Sequence, residues 1–206
     1  MRRLRLRELL ASPRELSAFR EAVRGGGVAV IPTETFYALA ADPRSEPGIA
    51  RIFEIKGRDD GKPLLTLFSE RSQLAALGVA ADPSTLDRFL RIWPAPMTVV
   101  LPLTAPIAAS RGVPTLAVRM PADASVRELL SAVGPVTGTS ANRSGAHALS
   151  DPDEVAAALG GDLDVLVDGG RTPGGQPSTL VDATQDPPVV LRAGAFPWPP
   201  GEPHAR

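Results

Sequence analysis

The chain places 22 prolines and 19 glycines across its 206 residues as punctuation between short apolar runs, with no single low-complexity block. Proline fixes φ and withholds an amide, and glycine removes the steric preference for any one region, so this spacing ends helices and strands early. The chain is therefore restricted to many short elements. Ser12-Pro13-Arg14-Glu15 has the form of a capping box with proline at the first helical position, followed by Leu16, Phe19 and Val23 on one face and a stop at Gly25 to Gly27. Residues 28–31 then read as a buried strand halted by Pro32. A helix is predicted over 48–56, with Ile49, Ile52 and Phe53 inward and Gly57 as its stop, and a strand over 64–68.

The same alternation continues. Asp82-Pro83 opens a helix carrying Leu86, Phe89 and Leu90; strands are predicted at 97–101 and 116–120; and Ser125-Val-Arg-Glu128 repeats the capping-box pattern for a helix ending near Gly134. A strand at 136–139, a helix from Asp151-Pro152 through Leu159, and strands at 164–168, 179–182 and 188–192 complete the reading. Strands interleaved with helices indicate an α/β domain, and the hairpin-length gaps near the C-terminus favour one mainly central mixed sheet flanked by helices. Residues 1–195 are predicted to form this single domain, and 196–206 an extended proline-rich tail.

Composition narrows the function. With 43% apolar residues the chain can bury a substantial core, and 22 basic against 23 acidic residues leave a net charge of −1, so nothing overall marks a nucleic-acid or membrane binder. Any anion site must be a local concentration of charge. No cysteine is present, which excludes disulfides, thiolate metal sites and cysteine nucleophiles, and fits a reducing compartment. The basic N-terminus alternates with leucine and lacks a signal peptide's apolar stretch, and no run reaches the roughly 20 apolar residues of a membrane span, so a cytoplasmic location is expected. Only His147 and His204 exist, which disfavours a histidine-held metal. Walker A, Gly-x-Gly-x-x-Gly and Gly-x-Ser-x-Gly patterns are absent; Gly138-Thr-Ser-Ala-Asn142 ends in asparagine.

Several segments carry candidate chemistry. Lys56-Gly-Arg-Asp-Asp-Gly-Lys62 concentrates three cations, with Arg58 able to grip phosphate or carboxylate through two donors and Lys56 and Lys62 acting as point charges. The alternative is that Lys56 complements its helix C-terminus while Arg58 and Lys62 pair with Asp59 and Asp60. Thr33 and Thr35 follow a buried strand, and their hydroxyls face one side if the segment is extended. Arg119 stands in an otherwise apolar strand, where it needs either a partner or a ligand. Residues 136–145 end a strand in Thr137, Thr139, Ser140, Asn142 and Ser144, with Gly138 and Gly145 allowing close approach to the backbone. Residues 169–179 form a glycine-rich loop that either closes over a ligand through Ser178 or Thr179 or merely joins two strands, and Arg192 ends the last strand.

Taken in order, Pro32-Thr-Glu-Thr-Phe-Tyr37, Lys56-Gly-Arg58 with Lys62-Pro-Leu64, Trp93-Pro-Ala-Pro96, Val118-Arg-Met-Pro121, Thr139-Ser-Ala-Asn142 with Ser144-Gly145, Ser178-Thr-Leu-Val-Asp182 and Leu191-Arg192 resemble the YrdC-like family of threonylcarbamoyl-AMP synthases. The resemblance runs from about residue 12 to 195, and because the chain stops soon after, it is with the short, single-domain type. It implies a YrdC-like fold with a concave substrate cavity. The implied reaction condenses L-threonine, bicarbonate and ATP to threonylcarbamoyl-AMP and pyrophosphate, for N6-threonylcarbamoyladenosine at position 37 of tRNA.

By the same resemblance Lys56, Arg58, Lys62, Thr115, Asn142, Ser150 and Arg192 would hold ATP, with Lys56 and Arg58 catalytic, and Thr33, Thr35, Arg119, Ser140 and Ser178 would hold L-threonine. Mg²⁺ is expected on the ATP phosphates, and no zinc, haem or flavin is expected. The implied partners are a separate transferase complex that takes the product and a weakly bound tRNA; no membrane is implied. Lys56→Ala or Arg58→Ala is expected to abolish adenylate formation and spare the fold. The chain departs from the family at Ala38, usually glycine, at Asp59, commonly proline, and at Leu67, where some members have a histidine that contacts threonine. Two other readings stand beside this one: an RNA-binding module, and a relative of the same fold with a different carbamoyl-type substrate.

Overall fold

The structure, a computed structural model, describes residues 1–57 and 61–198. Its strands divide between two mixed sheets. The first has the order β1 (Arg2–Arg5), β9 (Val165–Asp168), β2 (Ala29–Ile31), β3 (Ala38–Ala40), β8 (Thr139–Ser140). In it β1 and β2 run parallel to β9, and β3 is antiparallel to both β2 and β8. The second has the order β11 (Val189–Arg192), β10 (Thr179–Asp182), β5 (Met97–Pro102), β6 (Thr115–Arg119), β4 (Thr66–Leu67), β7 (Val136–Thr137). Mixed α/β architecture is thus as the sequence predicts, but the single central sheet is two. Pairings such as β1 with β9 join residues more than 160 positions apart, and no local pattern encodes them.

The predicted strand at 136–139 shows how the division arises. Val136 and Thr137 pair antiparallel with β4, whereas Thr139 and Ser140 pair with β3 in the other sheet. Gly138 between them makes the crossing. A Cβ there would stand 2.6 Å from Leu67 Cγ, so only glycine lets the chain pass this closely over the Leu67 side chain. Thr137 fastens the corner from the second sheet to the first: its amide donates to Ala41 O at 2.9 Å, and its hydroxyl accepts from Ala41 N at 3.0 Å and donates to Leu39 O at 3.1 Å.

The helices follow their caps. Ser12 Oγ accepts from Glu15 N at 3.3 Å to start α2 (Pro13–Arg24), which follows the short α1 (Leu6–Leu10). α3 (Glu46–Lys56) begins earlier than predicted, because Ser45 Oγ caps it through Gly48 N, and ends at Gly57 with φ 65°. Helix α4 (Arg71–Ala76) was not predicted. Asp82 and Asp151 cap α5 (Pro83–Leu90) and α7 (Pro152–Leu159). For α6 (Ala124–Val133) the cap is Asp123, which accepts from Val126 N at 3.1 Å; Ser125 lies inside the first turn and its capping-box pattern is not used.

One buried cluster surrounds Phe68, Phe89 and Trp93, with Phe68 and Trp93 packed edge to face at 5.0 Å. A second lies under α1, α2 and α6 around Phe19, Leu67 and Leu130. The predicted tail boundary shifts, because the chain beyond residue 195 is still packed. Trp198 stacks on Phe89 at 5.3 Å between centroids beneath the Arg88 guanidinium, and Thr179 exchanges hydrogen bonds with the backbone of Phe196. Among the described residues no helix is long and apolar enough to cross a membrane.

Candidate active site

A cavity of about 480 Å³ opens between the two sheets. The first sheet and the turn before it supply Thr33, Thr35, Ala38, Thr139 and Ser140; the second supplies Thr98, Ala117, Arg119, Leu180 and Arg192, with Ser178 immediately before β10. Lys62 stands at its wall. The sequence-predicted residues Thr33, Thr35, Lys62, Arg119, Ser140, Ser178 and Arg192 therefore gather in one place.

Arg119 is the chemical centre. Alternation along β6 turns Thr115, Ala117 and Arg119 to one face, and Arg119 is only 4% exposed. Among the described residues its one ion pair is loose, with Nη2 at 3.6 Å from Glu34 Oε1, and Nε has no hydrogen-bond partner. Burial pulls this guanidinium below its ordinary pKa; Glu34 raises it in part, and the nearby Arg192 cation lowers it. Arg192 is steered by its bond from Nη2 to Ser178 O at 2.8 Å. Two guanidinium groups beside a cavity, one of them buried and under-bonded, make a receptor for an anion.

Small hydroxyls surround it. Thr33 Oγ1 lies 3.1 Å from Thr35 Oγ1, accepts from Thr35 N at 3.2 Å and donates to Phe36 O at 2.7 Å, so the two hydroxyls share a side through a bend at 34–36 and not through the extended segment on which the expectation rested. Ser178 Oγ and Thr98 Oγ1 are 2.8 Å apart and buried. Thr98 was not singled out from the sequence, although a polar residue inside the apolar strand β5 is the same signal that drew attention to Arg119. The glycine-rich loop is tied down along its length: Gly174 N donates to Thr35 O at 2.7 Å, Thr172 N donates to Ser150 O at 2.8 Å, and Tyr37 Oη donates to Gly170 O at 2.7 Å while accepting from Gly169 N. Tyr37 is fully buried, and desolvation raises its phenol to about 12.

Lys56 is engaged with backbone carbonyls. It is 3% exposed at the end of α3, and Nζ donates to Ser140 O at 2.9 Å and Asn142 O at 3.2 Å. Its own carbonyl accepts from Ser144 N at 2.8 Å. Lys56 thus staples the turn whose Asn142 side chain bridges Ser140 Oγ at 2.6 Å and Ala146 O at 2.7 Å. Neither Lys56 nor Asn142 lines the cavity, nor do Thr115 and Ser150; Thr115 lies four residues before Arg119 on the same face, and Ser150 supports the loop through its carbonyl. Arg58 and Asp59 lie outside the described residues. Of the departures from the family pattern, Ala38 lines the cavity, whereas Leu67 is fully buried against Gly138 and does not.

Comparison with known proteins bears on this arrangement. The profile of the Sua5/YciO/YrdC family, described as telomere recombination, matches residues 21–194. Threonylcarbamoyl-AMP synthase of Pyrococcus abyssi is 36% identical over 178 residues, 85% of this chain and 52% of that protein. The Bacillus subtilis protein of the same name is 32% identical over 92% of this chain and 56% of its own length. The crystal structure of P. abyssi Sua5 complexed with L-threonine superposes with a TM-score of 0.82 at 32% identity, covering 95% of this chain and 57% of that one. The chain thus spans little more than half the length of these relatives. Sequence and fold agree over nearly the whole described chain, and it belongs to the Sua5/YciO/YrdC family.

Proposed function

We propose that the cavity binds L-threonine through its carboxylate and that the protein condenses it with bicarbonate and ATP to threonylcarbamoyl-AMP and pyrophosphate. The observation that carries this reading is Arg119, a buried guanidinium with incomplete hydrogen bonding, facing a cavity beside Arg192. A substrate carboxylate gives that charge the acceptors it lacks. Thr33, Thr35, Ser140 and Ser178 then surround the rest of a small hydroxy amino acid with donors and acceptors. The name of the P. abyssi relative, threonylcarbamoyl-AMP synthase, and the complex of P. abyssi Sua5 with L-threonine support the same choice.

The chemistry asks for positioning and charge neutralisation. The threonine amine attacks bicarbonate to form a carbamate with loss of water, and a carbamate oxygen then attacks the α-phosphorus of ATP as pyrophosphate leaves. Lys62 and Arg192, both on the cavity wall, would meet the phosphates, and Arg58 is given the same role by its motif; together they would offset charge as it develops. Lys56 acts at one remove by holding the backbone of Ser140 and Asn142. Mg²⁺ would arrive on the triphosphate, held by its oxygens and water. Transfer of the product to tRNA by a separate complex completes the proposed role.

Pyrophosphate release from ATP, measured with and without L-threonine and bicarbonate, tests this. Strict dependence on both is expected. Turnover indifferent to threonine would refute it in favour of a relative with another carbamoyl-type substrate, and salt-dependent RNA affinity without ATP consumption would favour an RNA-binding module.

A further inference from the structure

The proposed reaction needs three substrates in one cavity, and charged residues meet two of them, threonine and ATP. The strand register shows what lies between those charges. In the second sheet Arg192 of β11 stands opposite Leu180 of β10, Leu180 stands opposite Thr98 of β5, and the β5–β6 register carried one step beyond Val99 and Val118 sets Thr98 opposite Arg119. Residues opposite one another share a face, so these four form a row across the sheet, and all four line the cavity. With strands about 4.8 Å apart, the row spans about 14 Å from one arginine Cα to the other. Ser178, two residues before Leu180 and so on the same face, brings its Oγ to 2.8 Å from Thr98 Oγ1. A pair of hydroxyls thus stands between the two strands that carry the guanidinium groups. Two hydroxyls hold two protons, and the bond between them uses one. Among the described residues no acceptor takes the other, so the pair keeps one O–H and free lone pairs for a ligand.

Bicarbonate matches that remainder. It is an anion with one hydroxyl of its own, so it accepts the spare O–H and donates back to a hydroxyl oxygen. Its place in the reaction agrees. Along the product the atoms run carboxylate, α-carbon, nitrogen, carbamate carbon, oxygen, phosphorus; with the carboxylate at Arg119 and the phosphates toward Arg192, the carbamate carbon falls between the ends of the row. We infer that Thr98 is a bicarbonate-binding residue, holding one oxygen of that anion while the threonine nitrogen attacks its carbon. The C–N bond forms, the C–OH bond breaks, and that hydroxyl leaves as water with a proton from the amine. Ser178 touches the amino acid and the carbamate alike, because the carbamate forms on the threonine nitrogen. This rests on the proposed synthase reaction and adds the site of its third substrate.

The test is Thr98→Val, which keeps the branched shape and removes the hydroxyl, beside Thr98→Ser, which keeps the hydroxyl. Pyrophosphate release is followed against bicarbonate concentration at fixed ATP and L-threonine, and L-threonine affinity is measured separately by titration calorimetry. Thr98→Val is expected to raise the KM for bicarbonate at least about tenfold, the scale of a lost hydrogen bond to a charged group, with the threonine Kd held within about twofold and Thr98→Ser near wild type. If turnover in Thr98→Val drops below detection, raised bicarbonate should restore it; failure to do so overturns the inference. An unchanged bicarbonate KM overturns it too. So does threonine affinity that weakens as much as the KM rises, which would make Thr98 part of the threonine site or of the wall alone. Matching thermal melts show that the variants are folded; should the valine variant not fold, Thr98→Cys, a weaker donor, is expected to raise the bicarbonate KM by a smaller factor, and no rise there overturns the inference. Wild-type pyrophosphate release that ignores bicarbonate refutes the synthase reading and removes this inference with it.

Discussion

Gly194 gives the sharpest test of how the backbone shapes the cavity. A Cβ at this position would lie 2.3 Å from Pro177 O and 2.6 Å from both Ser178 C and Thr179 N. All three are backbone atoms, so no rotamer change relieves the overlap; either the turn at 193–195 or the start of β10 must move by roughly an ångström, since unstrained carbon–oxygen contacts lie near 3.5 Å. The contacts at stake are Ala195 N to Pro177 O at 2.9 Å and Arg192 Nη2 to Ser178 O at 2.8 Å. Overpacking of this kind costs about 1–3 kcal/mol, which for a chain of this size is roughly 2–4 °C of Tm per kcal/mol. Gly194→Ala should therefore melt about 2–12 °C below wild type and bind L-threonine more weakly, because Arg192 and Ser178 shift together. Gly161→Ala is the control: a Cβ there meets nothing within 4 Å, so its stability should stay within about 0.5 kcal/mol of wild type. Thermal denaturation and calorimetry read both outcomes. If Gly194→Ala melted with the control and kept wild-type affinity, the tight backbone approach would have no bearing on the site.

Three further outcomes are expected. Lys56→Met should abolish turnover and also destabilise the fold by about 1.5–3 kcal/mol in urea denaturation, contrary to the sequence-based expectation of an intact fold, since two backbone carbonyls lose a charged donor; wild-type stability would return Lys56 to a purely catalytic role. Tyr37 is the only tyrosine, so phenolate absorbance should appear near pH 12 in the folded protein and near 10 in denaturant, and the phenol's contribution to stability, complete below about 10, should be lost as pH rises toward 12; a folded-state transition near 10 would contradict its burial. Burial pushes the Asp164 carboxyl up, but hydrogen bonds from Arg51 and Val28 N outweigh it and hold the group below its usual value. Its stabilisation is therefore present above the unfolded pKa of about 3.9 and lost as pH falls below it, so Asp164→Asn should flatten the acid limb of the stability profile, and an unchanged limb would refute this.

What the sequence made legible was local. Ser12, Asp82 and Asp151 start helices because cap chemistry is written within four residues, and Gly57 stops one for the same reason. Where two caps compete, the pattern misleads: Asp123 reaches Val126 N first and absorbs Ser125 into the helix. The strand β3, Ala38–Ala40, carries no β-branched residue and owes its conformation to β2 and β8 on either side. At the site, Arg119 announced itself as a charge in an apolar strand, whereas nothing local to Glu34 tells that its carboxylate is shielded beside Arg119. Lys56 reads identically whether it faces phosphate or a carbonyl, and its bonds to the Ser140 and Asn142 carbonyls, more than 80 residues on, are not legible in the sequence.

The crossing at Gly138 gives the bound substrate a mechanical meaning. One wall of the cavity is carried by each sheet, and the strand that joins β7 to β8 passes between them through a single residue. A molecule that grips Arg119 on one plate and the Thr33, Thr35 and Ser140 hydroxyls on the other is a removable rivet: at a hundred times its dissociation constant it contributes about 2.7 kcal/mol to holding the plates together. A solute that touches only one wall adds nothing to holding the two sheets together across the cavity, however tightly it binds that wall.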